Sequence, residues 1–175
     1  RAGIVAARRE GVPAICHLRA IQGRDLYDRW LSRWLSGYIC ISRAVDAHQR
    51  EQGGRIAPVW IVYNGLDLAE IDEPVEPGAV RAELGLHPDD QVVGCVGRLV
   101  AWKGQEVFLR ALAELAPRRP GLRGLIVGAP EYNSTEYESE LHALAARLGI
   151  AERLIWTGYR PDVPRCLRAM DVLAH

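Results

Sequence analysis

Charge of neither sign predominates. Acidic and basic residues number 22 each, for a formal charge of zero. That balance excludes the basic footprint that nucleic-acid binding requires. No apolar run approaches the ~20 residues that span a bilayer. Cysteine is sparse: Cys16, Cys40, Cys95 and Cys166 stand far apart, each among apolar neighbours, with no Cys-x-x-Cys pair. Such spacing excludes a disulfide framework and a zinc knuckle, and it points to buried thiols in a reducing compartment. We therefore expect a cytoplasmic protein without a metal centre. Low-complexity tracts are lacking too. Hydrophobic residues make up 49% and charged residues 25% of the 175, a globular composition with enough apolar side chains to bury a core.

What remains is an alternation of short apolar strands and amphipathic helices. The first third predicts a helix over 2–10, a strand over 12–17, a helix from Asp25 and a strand over 37–41. Ser42 is placed to cap a helix that stops at Gly53-Gly54, and a further strand covers 59–63. Residues 66–91 change character. Asp67, Asp72, Glu73 and Glu76 mix with Pro74, Pro77 and Gly78, leaving a short helix at 80–84, which marks a domain boundary.

The pattern then restarts. Strands at 91–97, 122–128 and 153–157 alternate with helices at 104–116 and 136–148. A short helix opens at Pro161-Asp162, and a last strand begins at Asp171. Val107, Phe108, Ala111, Leu112 and Leu115 are expected on one face of the first long helix, and Thr135 with Glu138 fits a capping box on the second. This is the βαβ run of a doubly wound parallel sheet, which binds ligands at the carboxyl ends of its strands. Both ends read as cut, since Arg1 opens straight into a helix and 171–175 breaks off within a strand. We read the sequence as a piece of a longer protein.

The sharpest local feature is Gly97-Arg-Leu-Val-Ala-Trp-Lys-Gly104. Gly97 closes a strand and Gly104 opens a helix, so Arg98 and Lys103 share the mouth between them. Free amides and the helix dipole favour an anion there, and two cations could meet two neighbouring phosphates. A pair of exposed cations in a surface loop is the plainer alternative. The Gly-x-Gly-x-x-Gly fingerprint is absent, and Lys103-Gly104 lacks the glycine spacing and following Ser/Thr of a P-loop. Nicotinamide chemistry and nucleoside triphosphate hydrolysis lose ground accordingly. Gly128 and Gly158 also follow strands, where a ligand could approach the backbone closely. Tyr159 and Arg160 fit a pocket wall and a surface loop equally well. Glu131, Glu136, Glu138 and Glu140 read as a solvated turn and helix face, and Trp30 and Trp34 as packing. His17, with Arg19, follows a strand in the first half, which by itself is weak support for a role.

Several strings occur in order: Ile41-Ser42, Val62-Tyr-Asn-Gly-Leu-Asp67, Val93-Gly-Cys-Val-Gly-Arg-Leu99, Lys103-Gly104 with Phe108-Leu-Arg-Ala-Leu112, Leu125-Ile-Val-Gly128, Leu154-Ile-Trp-Thr-Gly158 and Asp171-Val-Leu-Ala-His175. Together they resemble the retaining GT-B glycosyltransferases of family 4, the group 1 transferases. The resemblance implies an α/β, GT-B type fold of two Rossmann-like parallel-sheet domains, both incomplete here. Residues 1–66 would be the later part of the amino-terminal, acceptor-side domain, 67–90 the interdomain segment, and 91–175 the first part of the nucleotide-sugar-binding domain. It implies transfer of a sugar from a UDP- or GDP-sugar donor to a glycan, lipid-linked or small-molecule acceptor, with retained configuration. No cofactor beyond the donor substrate is expected.

Carried onto this sequence, the resemblance makes Arg98 and Lys103 the grip on the donor diphosphate, flanked by Gly97 and Gly104. Gly128, Gly158, Tyr159 and Arg160 would border the donor, and His17 would lie near the transferred sugar and acceptor. Two family segments are not in these residues: an amino-terminal glycine-rich loop and two glutamates seven residues apart beyond Asp171. The piece alone is therefore expected to be inactive. A lipid acceptor would bring the intact enzyme into peripheral membrane contact. A nucleotide-sugar 2-epimerase of the same architecture and a non-catalytic nucleotide-sugar-binding subunit are the alternatives.

Overall fold

The computed structural model describes the chain except residues 22, 24, 53–56, 73–75, 77 and 132–134, and of Glu70 only the backbone. The chain divides into two compact units, Arg1–Leu66 and Asp67–His175. The expected Gly53-Gly54 stop lies outside the described residues.

The first unit is a three-stranded parallel sheet in the order β1 (Ile15–Leu18), β2 (Gly37–Cys40), β3 (Val59–Ile61). Helix α1 (Ala2–Arg9) precedes β1. Helix α2 (Leu26–Leu31) starts where the Asp25 carboxylate accepts from the Asp28 amide, and it tightens into a 3-10 turn at Ser32–Trp34. Helix α3 (Arg43–Glu51) begins at Ser42, whose hydroxyl accepts from the Val45 amide at 3.2 Å, as its position in the sequence predicts. Leu35, Tyr38, Cys40, Val45 and Ala57 form the core.

The second unit opens with α4 (Leu68–Ile71) and α5 (Ala79–Glu83). There follow β4 (Gln91–Val96), α6 (Gln105–Leu115), β5 (Leu122–Val127), α7 (Glu136–Arg147), β6 (Leu154–Trp156), α8 (Val163–Arg168) and β7 (Val172–Ala174). All four strands are parallel, in the order β6-β5-β4-β7. The chain steps outward from β4 to β6 and then returns to β4's other side. That reversal marks the place where open α/β sheets take ligands.

Strand β5 shows why the sheet is covered on both faces. Leu122 and Ile126 join Phe108, Leu109, Leu112, Leu141 and Leu144 on one side. Leu125 and Val127, the alternate residues, join Val80, Val92, Cys166 and Ala169 on the other. Burying each of these large side chains stabilises the fold by about 1.5–3 kcal/mol before the entropy of ordering is counted.

Arg81 fastens α5 to this sheet. Its Nη1 donates to the carbonyls of Pro88 and Asp90, its Nε to that of Ala169, and its Nη2 to both oxygens of Asp171. Asp171 also accepts from the Val92 amide at 2.7 Å.

Two local expectations are corrected. The buried face of α6 consists of Gln105, Phe108, Leu109 and Leu112, while Val107 is 70% exposed. Phe108 and Leu112 are shared with the face that the apolar letters suggest, but the buried face is rotated about the helix axis toward Gln105 and Leu109. The capping box on α7 does not form, because Thr135 already has helical backbone angles and its side chain caps nothing.

Candidate functional site

Strand β4 is a near-continuous apolar run, and its carboxyl end carries the residues singled out above. At Gly97 the backbone turns to φ +154°, and the Gly97 amide donates to the Val127 carbonyl at 2.9 Å. Gly128 ends β5 at φ +149°, and its amide donates to the Gly158 carbonyl at 2.9 Å. The ends of β4, β5 and β6 are thereby drawn into one rim. Both Gly97 and Gly128 have backbone angles that side chains rarely adopt. A Cβ at Gly128 would also lie 1.9 Å from the Gly97 carbonyl oxygen.

Past the rim, the loops after β4 and β5 run side by side. The Leu99 amide donates to the Ala129 carbonyl at 3.0 Å, and Leu99 bridges Pro130. Opposed across these two loops, the Arg98 guanidinium pairs with the Glu131 carboxylate. The pair is half-open to solvent, at 55% and 38% exposure, so its contribution to stability is small. Glu131, read from the sequence as part of a solvated turn, thus holds Arg98 here. Charge opposition across two loops leaves no trace in linear spacing.

Lys103 ends a 3-10 turn, Ala101–Lys103, and Gly104 follows in the left-handed region at φ +77°, heading α6. The Lys103 stem runs past Gly97, where a Cβ would sit 3.7 Å from its Cδ. Its ammonium lies 4.8 Å from the centroid of the Trp102 ring. No side chain caps α6, so the first amides of the helix keep the positive potential that attracts an anion. Lys103 and Gly104 also edge a pocket of about 410 Å³ floored by Val93, Cys95, Phe108, Leu112 and Ala174. Burial there pushes the Cys95 thiol up from its ordinary value, opposed by the nearby Lys103 charge. That pocket is apolar and does not include Arg98.

The rim therefore collects Gly97, Arg98, Lys103, Gly104, Gly128 and Gly158. Three of the predicted site residues remain. Tyr159, next to Gly158, presents a ring that is 78% exposed. Arg160 is turned to its neighbours: it donates twice to Asp162 at 2.7 Å and once to Glu83 at 2.6 Å. These carboxylates, Asp162 first, push the guanidinium's pKa up, and Arg160 in turn holds the Asp162 carboxyl below the usual range. His17 belongs to the first unit, on β1 opposite Ile39, exposed beside a cavity of about 380 Å³ that Arg19 and Gln49 also line.

Gln105 is the residue that the sequence reading passed over. It is 1% exposed, and its Nε2 donates to the Arg98 carbonyl at 2.8 Å. A polar residue one turn ahead of Leu109 on the apolar stripe was the available signal. Among the described residues, no three or more His, Cys, Asp or Glu side chains gather in an arrangement that could hold a metal ion, and no helix is long and apolar enough to cross a membrane.

Known proteins are similar to this chain in sequence or in fold. The lipopolysaccharide core biosynthesis mannosyltransferase LpsB of Rhizobium meliloti is 30% identical over 115 residues, covering 66% of this chain and 33% of that protein. A D-inositol 3-phosphate glycosyltransferase of Nocardia farcinica is 41% identical over 118 residues, covering 65% of this chain and 26% of its own. The crystal structure of HepE from Anabaena in complex with UDP superposes with a TM-score of 0.86 at 29% identity, over 99% of this chain and 49% of that one. The chain thus spans about half the length of HepE, and its matched segment a third or less of the other two. The parallel α/β units have the fold of these GT-B glycosyltransferases. The family model for glycosyl transferases group 1 matches residues 78–175, more than half of the chain and the whole β4–β7 sheet with its rim, and the chain belongs to that family.

Proposed function

We propose that this chain carries the donor-diphosphate grip of a retaining family 4 glycosyltransferase, which moves a sugar from a nucleotide-diphosphate sugar to a glycan, lipid-linked or small-molecule acceptor. The observation that carries this reading is the placement of Arg98 and Lys103 at either end of the loop joining the β4 rim to the uncapped start of α6. Breaking a sugar–diphosphate bond builds negative charge on the departing phosphate. Cations aimed at that phosphate are worth most in the transition state, because the extra charge they meet appears only as the bond breaks. Arg98 would supply a planar fork to one phosphate, and Lys103 a mobile point charge to the next. Gly97 and Gly104, which carry no side chains, leave the backbone open to a ligand at the two ends of this loop.

The complexes of HepE with UDP and with UDP-glucose support a uridine donor over a guanosine one. In this reading residues 91–175 belong to the nucleotide-sugar domain and 1–66 to the acceptor-side domain, with 67–90 joining them. Gly128, Gly158 and the exposed Tyr159 border the nucleotide. His17 serves the transferred sugar and the acceptor. Arg160, already committed to two carboxylates, contributes to the wall by holding its loop in place. The protein acts in the cytoplasm, meeting a membrane where its acceptor is lipid-linked.

The test is calorimetric titration of the protein and its Arg98→Ala/Lys103→Ala variant with UDP, GDP and their common sugar conjugates. Binding of one nucleotide series that collapses in the double variant is the expected result, and the series that binds names the donor base. A folded protein that binds neither series contradicts the reading and brings a non-catalytic scaffold role forward.

A further inference from the structure

Gln105 is the first residue of α6 and shares the helix's buried stripe with Leu109 and Leu112, one and two turns further on. Buried polar groups are almost always bonded, and an exception calls for a reason. Half of this amide is such an exception. Nε2 donates to the Arg98 carbonyl, but Oε1 is buried with no partner. An apolar side chain of similar length would fill the stripe without stranding an acceptor. Packing therefore does not account for glutamine at this position, whereas the bond to Arg98 does.

The Arg98 carbonyl also accepts from the Val100 amide at 3.0 Å, which closes a three-residue turn. On either side of it, Gly97 and Leu99 are tied to the end of β5 through Val127 and Ala129. The Gln105 bond adds a different anchor, joining this turn to the helix whose first turn follows directly on Lys103. We infer that Gln105 is a positioning residue for the phosphate grip, setting the backbone from which Arg98 reaches relative to Lys103. The role rests on the nucleotide-sugar reading above. It assigns Gln105 no contact with the ligand, since its side chain is sealed from solvent. What it fixes is the separation of two cations that must meet two adjacent phosphates, and small misplacements at such a site are costly.

Gln105→Met keeps the length and apolar fill while removing the donor, so its effects separate hold from packing. Two measurements on wild type and variant decide the matter. The first needs no ligand: amide hydrogen exchange over residues 97–104, with β5 as internal reference. We expect exchange to quicken about tenfold in 97–104 and to stay unchanged in β5. The second is calorimetry with UDP and GDP against UMP and GMP. The preferred diphosphate should bind about tenfold more weakly to the variant, the scale of one misplaced charge-assisted contact, while the monophosphate changes less than about twofold. Wild-type exchange over 97–104 in the variant, or a β5 that loosens equally, overturns the inference. So does undiminished diphosphate affinity in a variant whose wild-type parent binds. A wild type that binds no diphosphate overturns the nucleotide-sugar reading instead, and the exchange measurement still decides whether Gln105 holds Arg98.

Discussion

The carbonyl oxygen of Gly97 lies 1.9 Å from the point that a Cβ on Gly128 would occupy. Two strand ends approach so closely that neither backbone has room for a side chain between them. The contact sets the loops after β4 and β5 side by side and holds Arg98 over the rim. Gly128→Ala should therefore cost about 3 kcal/mol, from the strained φ and the backbone clash together. Gly104→Ala is the control. Gly104 also has positive φ, but nothing lies within 4 Å of its would-be Cβ, so the cost is conformational and about 1 kcal/mol. Urea unfolding of both variants checks the difference.

Glu131 pairs with the Arg98 guanidinium. A diphosphate that takes the guanidinium must displace this carboxylate, and a half-exposed pair of this kind is worth about 0.2–1 kcal/mol. Glu131→Gln should therefore tighten UDP binding by up to roughly fivefold. Calorimetry reads it directly, and weaker binding by the variant would assign Glu131 to the ligand side.

Asp171 joins α5 to the sheet, accepting both Arg81 Nη2 bonds and the Val92 amide. Asp171→Ala removes these charge-assisted bonds and leaves Arg81, with its guanidinium mostly buried, short of its counter-charge. The expected loss is about 1.5–3 kcal/mol, measured as a shift in the urea midpoint without a change in slope.

The Arg160–Asp162 pair predicts an acid-side effect of definite sign. Hydrogen bonds from Arg160 depress the Asp162 pKa in the folded state below its ordinary 3.8. The folded state therefore binds this proton less readily than the unfolded chain does. Its contribution is complete above the ordinary carboxylate value and is lost as the pH falls through the lower folded value. Asp162→Asn should lower stability at neutral pH and flatten the decline in acid. Midpoints collected from neutral pH down through the carboxylate range distinguish this from a loss that is uniform with pH.

Strand and helix order was legible because the apolar runs at 91–96 and 122–127 each end at a glycine and are separated by the amphipathic α6. Ser42 announced the start of α3 for a similarly local reason. The placement of Arg98 at a strand end and of Lys103 just ahead of a helix was legible because both boundaries are written in consecutive letters. Glu131 and Gln105 could not be found this way. Their contacts with Arg98 depend on the approach of β4 to β5 and on which stripe of α6 turns inward, and both are set by tertiary packing. Arg160 shows the converse. Its position after Gly158 fitted a pocket wall and a surface loop equally well, and Glu83, 77 residues away in sequence, could be recognised as its partner only once the fold brought them together.

Lys103 is the single lysine of the chain, so one measurement addresses the phosphate grip directly. The protein is acylated with a limiting amine reagent, and the rate at Lys103 is followed by peptide mass mapping with UDP, GDP, uridine or guanosine present. If Lys103 meets the donor diphosphate, one of the two nucleotides slows its acylation at least about fivefold, and the matching nucleoside does not. Equal rates at Lys103 under all four conditions would contradict the proposed grip.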